Sequence, residues 1–400
     1  MATTIPGSTR EGESMTNPLY ILAVLCLVVA VSEWLVRRTF LRHAGTALLG
    51  ILVTALIANL GVIPAGSTAE APVPVYDAIF AYVAPLAIFW LILGVNLRDV
   101  MKAGLPLVVL FLIGSFGTVL GTIVGMAAVH GATSIGPLYG PIAGMFAGTY
   151  IGGSINFNAV ALEYDVVRNG VLYAGSIAVD AVVSTLWMVA TLALPRILAP
   201  LYPKKKGGAE AVSEVITGID DDTESVHPVD LGLMLAIGLA AVWASGLIAN
   251  ALSTRGVAIP TMLVLTIIAL GLAQFPHVAR LRGARVIGMF AVYLFLNVIG
   301  AFCDVRTLAG LGRIGLTLFA FAGITVLIHG VVTFLAARLM RLDADMAAIA
   351  SQANVGGSTT ALALARSLGR ADLVLPGVLI GALGNAVGNF FGFWVAGGLM

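Results

Sequence analysis

Adjacent glycines followed by a serine occur twice in the chain, each time inside an apolar segment. The two motifs consist of Gly152, Gly153 and Ser154, and of Gly356, Gly357 and Ser358. Because glycine adopts backbone angles that other residues resist, a helix can unwind at such a pair and expose its backbone groups. Carbonyl and hydroxyl oxygens freed in this way suit a small cation, and the N–H groups at a helix N-terminus suit a carboxylate or another anion. The motifs therefore predict a binding site for an ion and a small molecule.

Other amide and hydroxyl side chains lie close to both glycine pairs. They are Asn156 and Asn158 after the first pair, and Gln352, Asn354, Thr359 and Thr360 around the second. We assign substrate contact to the two motifs, to Asn156 and to Thr359. We assign ion coupling to Asn158, Asn354 and Thr360. The alternative is that these small polar residues only cap helix breaks and permit close packing of helices.

The carboxylate of Asp180 lies in the middle of an apolar segment. Since an ionisable residue at membrane depth is costly, it is a functional candidate by default. We expect Asp180 to bind Na⁺ together with Ser154 and Asn385, or to carry a proton. Asn385 and Asn389 fall near the position that corresponds to Asp180 in the second half of the chain. A structural carboxyl group that is hydrogen-bonded to a neighbouring helix is the alternative for Asp180.

A few other residues give weaker indications of function. Asn96 and Asp304 sit at the ends of apolar segments, where solvated helix termini explain them as well as a function does. His329 lies within an apolar segment, and we expect it to be packed and hydrogen-bonded rather than a proton relay. Cys26 and Cys303 show no metal or redox spacing and are not expected to pair. We find no P-loop, nucleophile elbow or zinc-protease motif, so the sequence indicates neither an enzyme nor ATP-driven transport, and no cofactor beyond the coupling ion.

The composition identifies the elements that hold these residues as membrane helices. Of the 400 residues, 59% are hydrophobic and 10% are charged. A spanning helix needs about 20 mostly apolar residues, and we count twelve apolar segments between residues 18 and 399. We therefore predict an all-α polytopic membrane protein. The net charge of +1 gives no indication of a nucleic-acid partner.

The two halves of the chain resemble each other in the order and spacing of short matches. The Gly-Gly-Ser motifs are 204 residues apart, and the stretches Asn96-Leu97-Arg98 and Asp304-Val305-Arg306 are 208 residues apart. We predict a disordered tail over residues 1–17, a first membrane repeat over 18–199, a linker over 200–228 and a second membrane repeat over 229–400.

The distribution of Lys and Arg predicts the topology, because basic residues favour cytoplasmic loops. If all twelve segments cross the membrane, the 21 basic residues divide 11 to 10 and show no bias. If segments 137–163 and 343–365, which contain the glycine pairs, enter and leave on the same side, 16 basic residues lie inside and 5 outside. We therefore predict two inverted repeats with about ten spanning helices and two re-entrant hairpins, an outside N-terminus and a cytoplasmic linker. Helices that break at the glycines but cross fully are the alternative.

The spacing of each motif to a following alanine, from Gly152 to Ala159 and from Gly356 to Ala363, resembles the DUF819 family of membrane proteins. The resemblance covers nearly the whole chain from about residue 18. More distantly, the chain resembles glutamate:sodium symporters, 2-hydroxycarboxylate transporters and bile-acid-type sodium symporters. This resemblance implies a homodimer, a mobile core, a scaffold and coupling to Na⁺. The motif has serine where the 2-hydroxycarboxylate transporters carry asparagine, so their substrate is not transferred to this chain.

These observations predict an ion-coupled secondary transporter in the cell (inner) membrane, driven by Na⁺ or H⁺. The expected substrate is a small organic anion, an amino acid or a short peptide that sits between the hairpin tips. Alternating access of the elevator type would move a core past a scaffold formed largely by segments 1–3 and 7–9. A cation/proton antiporter and a non-transporting membrane scaffold or sensor are the alternatives.

Overall fold

The computed structural model describes residues 16–39, 45–67, 71–94, 97, 103–203, 226–257, 259–279, 281–303 and 311–400. Within these ranges the chain forms helices and no β-strand, so the predicted all-α polytopic membrane fold is confirmed. Asn96, Asp304, most of the N-terminal tail over 1–17 and most of the linker over 200–228 lie outside the described residues.

Fourteen helices of ten or more residues occur in the described ranges. They are α1 (Pro18–Arg38), α2 (Gly45–Asn59), α3 (Pro74–Ile92), α4 (Leu105–Ala128), α5 (Tyr139–Gly152), α6 (Ser154–Glu163), α7 (Gly170–Leu198), α8 (Pro228–Ser253), α9 (Thr261–Ala273), α10 (Ala284–Ala301), α11 (Leu311–Leu339), α12 (Ala344–Val355), α13 (Gly357–Ser367) and α14 (Ala371–Leu399). A π-helical turn over Ile79–Val83 lies inside α3, and a 3₁₀ turn over Ala199–Leu201 follows α7. Shorter helical turns cover Gly131–Ser134, Val166–Arg168 and Pro276–Ala279.

Eight of these helices are long and apolar enough to cross a membrane, namely α1, α3, α4, α7, α8, α10, α11 and α14. Helices α2 and α9 are apolar but contain only 15 and 13 residues. At 1.5 Å per residue they extend about 22 and 20 Å, which is less than the roughly 30 Å of a typical hydrocarbon core. The described part of the chain thus contains eight candidate spans and two shorter apolar helices, and the expected number of about ten spans stays a prediction.

Polar side chains set the start of several helices. Asn17 caps α1, Asn169 caps α7 and Asp343 caps α12, each by accepting a hydrogen bond from a backbone N–H two or three residues later. Such caps satisfy N–H groups that a helix leaves without a partner in its first turn. The polar residues between the apolar segments therefore determine where these helices begin.

Helix packing divides the described chain into two groups. The scaffold group contains α1, α2, α3, α8, α9 and α10, in which α10 packs on α1, α2 and α3, and α9 packs on α3 and α8. The core group contains α4–α7 and α11–α14, in which α4 packs on α11, α7 packs on α11 and α12, and both α5 and α13 pack on α14. The groups meet where α6, α7 and α14 contact α2, α3, α9 and α10. This membership matches the scaffold predicted from segments 1–3 and 7–9, while the relation of the two halves as inverted repeats stays a prediction.

Candidate functional site

The first Gly-Gly-Ser motif forms the tip of a helical hairpin between α5 and α6. Gly153 separates the two helices with a φ of +87°, a backbone angle that favours glycine. Both arms lie against the same half of α14, since a Cβ atom on Gly392 would lie 3.0 Å from Gly144 O and 3.0 Å from Val160 Cγ2. The chain therefore folds back at the glycine pair instead of continuing in one direction.

The second motif forms the tip of a hairpin between α12 and α13. Gly357 begins the second arm with a φ of +77°. Gly377 of α14 lies beside both arms, because a Cβ atom on it would lie 2.9 Å from Ile349 Cγ2 and 3.6 Å from Ala361 Cβ. The second motif thus has the same fold-back geometry as the first.

An ion-pair cluster closes the base of the second hairpin. Arg370, which precedes α14, lies 2.9 Å from Asp343 and 3.3 Å from Asp345. Its guanidinium also lies 2.8 Å from Asp372. The Arg370 side chain is 8% exposed and that of Asp345 is 2% exposed, so these charges are held largely out of solvent. The cluster joins the start of α12 to the start of α14.

The two hairpins approach the middle of α14 from opposite ends. The first tip contacts Gly384 and the second tip contacts Gly381, near the centre of this 29-residue helix. The base of the first hairpin lies near Met400, and the base of the second lies near Asp372. Because each hairpin returns to the end of α14 at which it started, the geometry agrees with re-entrant hairpins and not with broken helices that cross fully.

A cavity of about 790 Å³ lies between the two hairpin tips and the scaffold helices α2, α3 and α10. Ten of the residues predicted for the site line this cavity: Gly152, Gly153, Ser154, Asn158, Asp180, Gly356, Gly357, Ser358, Thr359 and Asn385. Its volume falls in the range of pockets that hold small molecules. The structure therefore brings both motifs and the intramembrane carboxylate to one site, while their roles in binding stay predictions.

Three residues predicted for the site, Asn156, Asn354 and Thr360, do not line the cavity. Asn354 is buried in the core group, where its amide accepts from Ser115 at 2.8 Å and donates to backbone carbonyls of α4 and α12. Asn156 is buried against α14. The Thr360 hydroxyl donates to a backbone carbonyl at the helix break, 3.1 Å away. The contacts of these residues are consistent with the alternative of helix packing and capping, while their predicted roles stay predictions.

Asn158 lines the cavity and is held in place by a buried tyrosine. Tyr173, which is fully buried, donates its hydroxyl hydrogen to Asn158 Oδ1. Because this bond uses one lone pair of the amide oxygen, the second lone pair and the NH₂ group remain for a ligand. The ion coupling predicted for Asn158 stays a prediction.

Asp180 lies in the middle of α7 at the wall of the cavity. The Ser184 hydroxyl, one turn later, donates to Asp180 Oδ1 at 3.4 Å. Ser154 of the first hairpin tip and Asn385 of α14 line the same cavity. Carboxylate, hydroxyl and amide oxygens form a donor set that suits a small, hard cation.

Scaffold residues that the sequence analysis did not single out line the opposite wall. They include Thr46, Trp90, Arg285 and Tyr293. Among the described residues of the cavity, Arg285 is the positively charged one and Asp180 is the negatively charged one. No motif marks the scaffold residues, because their position opposite the hairpins depends on the packing of helices that are distant in the sequence.

A hydrogen-bonded histidine ties core helices together behind the cavity. His329 is fully buried in α11, with its Nδ1 atom 2.9 Å from Gly114 O and its Nε2 atom 2.9 Å from Ser351 Oγ. Trp187 Nε1 donates to the same serine oxygen at 3.0 Å. Both ring nitrogens have partners inside the core group, which supports the packed and hydrogen-bonded interpretation of His329.

Two other amides that the sequence singled out lie beside the cavity and not in its wall. Gln352 accepts a hydrogen bond from Thr191 at 3.1 Å, which joins α12 to α7. Asn389 donates to Thr266 at 2.8 Å, which joins α14 of the core group to α9 of the scaffold group. Both contacts connect helices and are consistent with a structural role.

Gly152→Ala is expected to disrupt the contact between the first hairpin and α14. A Cβ atom at position 152 would overlap the backbone carbonyl of Gly384, and neither backbone can move without shifting a helix. We expect the free energy of unfolding to fall by about 1–3 kcal/mol, the usual cost of overpacking. Gly323→Ala is the matched control, because a Cβ atom at that position of α11 would meet no atom within 4 Å. Equal unfolding midpoints for the two variants would contradict the close approach described here.

Comparison with known proteins yields two matches that extend over most of the chain. The profile of a family described as "Protein of unknown function (DUF819)" matches residues 20–400. The uncharacterized membrane protein YjcL of Bacillus subtilis (strain 168) is 28% identical over 360 residues, which cover 86% of this chain and 87% of the relative. The resemblance to DUF819 inferred from the motifs is confirmed, while the more distant similarity to sodium symporters stays a prediction.

Proposed function

The chain belongs to the DUF819 family, for which no function is described, and from its site we propose that it is an ion-coupled secondary transporter. The coupling ion is Na⁺, with H⁺ as the other candidate, and the substrate is a small organic anion, an amino acid or a short peptide. The observation that carries the proposal is the meeting of two glycine-tipped hairpins at one cavity beside the middle of α14. Glycine-interrupted helices in both halves of a membrane protein are the best pointer to a transporter's binding site.

The hairpin tips supply groups that suit the carboxylate of a substrate. Helix α6 begins at Ser154 and α13 begins at Gly357, and both residues line the cavity. A helix N-terminus carries partial positive charge and directs N–H groups at a bound anion. Ser358, Thr359 and Asn158 add hydroxyl and amide groups to the same wall. We therefore propose that a substrate carboxylate binds between the two tips.

The coupling ion in this proposal binds at Asp180, beside the substrate. Ser154 and Asn385 line the cavity with it and provide further oxygen ligands for Na⁺. A cation at Asp180 removes the negative charge that would repel a carboxylate substrate. Binding of the ion and binding of the substrate therefore favour each other, which is the coupling that a symporter requires.

The cavity reaches one end of the helix bundle, and a polar contact joins the two groups at the other end. Thr46 at the start of α2 and Arg285 at the start of α10 line the cavity at the end predicted to be cytoplasmic. At the opposite end, Glu163 of α6 accepts hydrogen bonds from the backbone N–H groups of Thr261 and Met262, both at 2.9 Å. Core and scaffold are thus joined at one end and separated by the cavity at the other, as expected of one state in an alternating-access cycle.

Glu163→Gln is expected to weaken this contact and to favour the state that opens to the outside. Glutamine offers one acceptor oxygen in place of two, and its NH₂ group faces a backbone N–H donor. The readout is labelling of Ser154→Cys by a membrane-impermeant maleimide added outside, in a chain with Cys26→Ser and Cys303→Ser. We expect labelling to rise about tenfold, which corresponds to about 1.4 kcal/mol for a lost hydrogen bond to a charged group.

Glu33→Gln is the matched control for this labelling experiment. Glu33 accepts hydrogen bonds from Arg37 and Thr46, so both of its partners lie within the scaffold group. The control is expected to leave the labelling unchanged, because no contact between core and scaffold is altered. Labelling of Glu163→Gln at the level of its parent would show that the contact does not hold the outer end closed.

The transporter proposal is tested by thermal unfolding of the purified protein with amino acids, dicarboxylates and dipeptides, in NaCl and in choline chloride. Stabilisation by a compound only in the presence of Na⁺ would support a symporter and identify its substrate class. Stabilisation by Na⁺ alone, weaker at lower pH, would support a cation/proton antiporter instead. No stabilisation under any of these conditions would support a non-transporting scaffold or sensor.

The proposed transporter lies in the cell (inner) membrane as a homodimer, with its N-terminus outside and its linker cytoplasmic. Large apolar side chains, such as Leu27 and Trp34 on α1 and Trp243 and Leu247 on α8, are exposed on the scaffold group. Such a surface suits contact with lipid tails or with a second copy of the chain.

A further inference from the structure

Tyr150 is a fully buried phenol whose hydroxyl group makes no hydrogen bond of normal geometry in the described part of the chain, although it interacts with the carboxylate of Asp180. Its ring packs edge to face on Phe146, with the ring centroids 5.6 Å apart. Its backbone carbonyl accepts a hydrogen bond from Thr118 at 3.2 Å. The position of the hydroxyl is therefore fixed largely by packing and by the backbone.

Other buried tyrosines in the protein have partners for their hydroxyl groups. Tyr76 donates to Pro64 O at 2.9 Å, and Tyr173 donates to Asn158 Oδ1. A partner is the usual state of a buried phenol, because an unpaired polar group costs free energy in an apolar interior. The Tyr150 hydroxyl lacks such a hydrogen bond, which indicates that its oxygen binds a ligand.

The Tyr150 hydroxyl faces Asp180, and the two groups interact electrostatically between α5 and α7. Asp180 also lines the cavity, so the pair lies at the boundary between the cavity and the buried core. The phenolic oxygen has lone pairs and the carboxylate supplies a negative charge. Two oxygens that helices hold opposite each other can serve as two of the ligands of a cation.

We infer that the Tyr150 hydroxyl oxygen is a ligand of the coupling Na⁺, which it binds together with the Asp180 carboxylate. The inference rests on the proposed function, because it assumes that Asp180 binds the coupling ion. Tyr150 precedes the first glycine pair by two residues, so the ion joins the tip of the first hairpin to α7. Bound Na⁺ thereby holds Ser154 in the geometry that receives the substrate.

Tyr150→Phe tests the inference, since it removes the hydroxyl and keeps the ring that packs on Phe146. Thermal unfolding of the purified full chain is followed while NaCl replaces choline chloride at constant ionic strength. We expect the Na⁺ concentration for half-maximal stabilisation to rise by about tenfold, as when a group that supports a metal site is removed. In Na⁺-free buffer the variant should be at least as stable as the wild type, because it no longer buries an unpaired hydroxyl.

Tyr76→Phe is the matched control, because it removes a buried hydroxyl that donates to Pro64 O within the scaffold group. It should lower the stability in Na⁺-free buffer and leave the half-maximal Na⁺ concentration unchanged. A Tyr150→Phe titration that superimposes on that of the wild type would overturn the inference and leave the proposed function standing. A wild-type protein that Na⁺ does not stabilise would overturn the inference and Na⁺ coupling together.

Discussion

Asp180→Asn is expected to abolish the Na⁺-dependent stabilisation of the protein while the chain stays folded. Asparagine keeps the shape and one oxygen of the carboxylate but removes the negative charge that holds a cation. Little packing is lost, because Asp180 is half-buried at the cavity wall and accepts a 3.4 Å hydrogen bond from Ser184. We expect the Tm in choline chloride to stay within about 3 °C of the wild-type value. The shift in Tm caused by NaCl should vanish.

Asp230→Asn makes the same change of charge at a carboxylate in the first turn of α8, within the scaffold group. This control should retain the full Na⁺ shift, since Asp230 is not among the residues of the cavity. An Asp180→Asn protein with an undiminished Na⁺ shift would exclude Asp180 as the ion site. An Asp180→Asn protein that fails to fold would instead identify a structural carboxyl group.

Arg370→Met is expected to lower the free energy of unfolding by about 3–5 kcal/mol, the usual loss when one partner of a buried ion pair is removed. Methionine fills a similar volume without a charge, so the carboxylates of Asp343 and Asp345 lose this cation while only 11% and 2% exposed. The second hairpin also loses the ion pairs that join the start of α12 to the start of α14. Denaturant unfolding of the purified protein measures the loss.

Arg366→Met removes an arginine four residues earlier, at an exposed position in the last turn of α13. We expect this control to change the free energy of unfolding by less than about 0.5 kcal/mol, as surface substitutions usually do. Similar losses for the two variants would mean that the charge of the region, and not the buried cluster, stabilises the hairpin base.

The hairpin tips and the intramembrane carboxylate could be predicted because their signals are local. Gly153 and Gly357 have positive φ angles that their residue type permits, and such glycines stand out inside an apolar run. Asp180 stands out because a charge in an apolar segment is costly whatever surrounds it. The distribution of Lys and Arg also predicted that both glycine-containing segments fold back. This prediction needs only the side of the membrane on which each loop lies.

The contacts of the neighbouring polar residues could not be predicted, because they involve partners that are distant in the chain. Asn354 is engaged by Ser115, 239 residues away, and a sequence alone does not reveal that contact. The importance of Tyr150 rests on a buried hydroxyl that faces Asp180 without a hydrogen bond of normal geometry, which only the three-dimensional structure reveals. The short lengths of α2 and α9 could not be predicted either, because apolar residues continue in the sequence beyond the ends of these helices.

Helix α14 follows both hairpins in the chain and yet forms the surface on which each of them packs. Gly152 is therefore synthesised 232 residues before Gly384, the residue that covers it. Until α14 is inserted, it cannot shield the backbone groups at the first helix break from lipid. Backbone groups without hydrogen-bond partners are costly in hydrocarbon. The candidate site can therefore become complete only after α14 enters the bilayer.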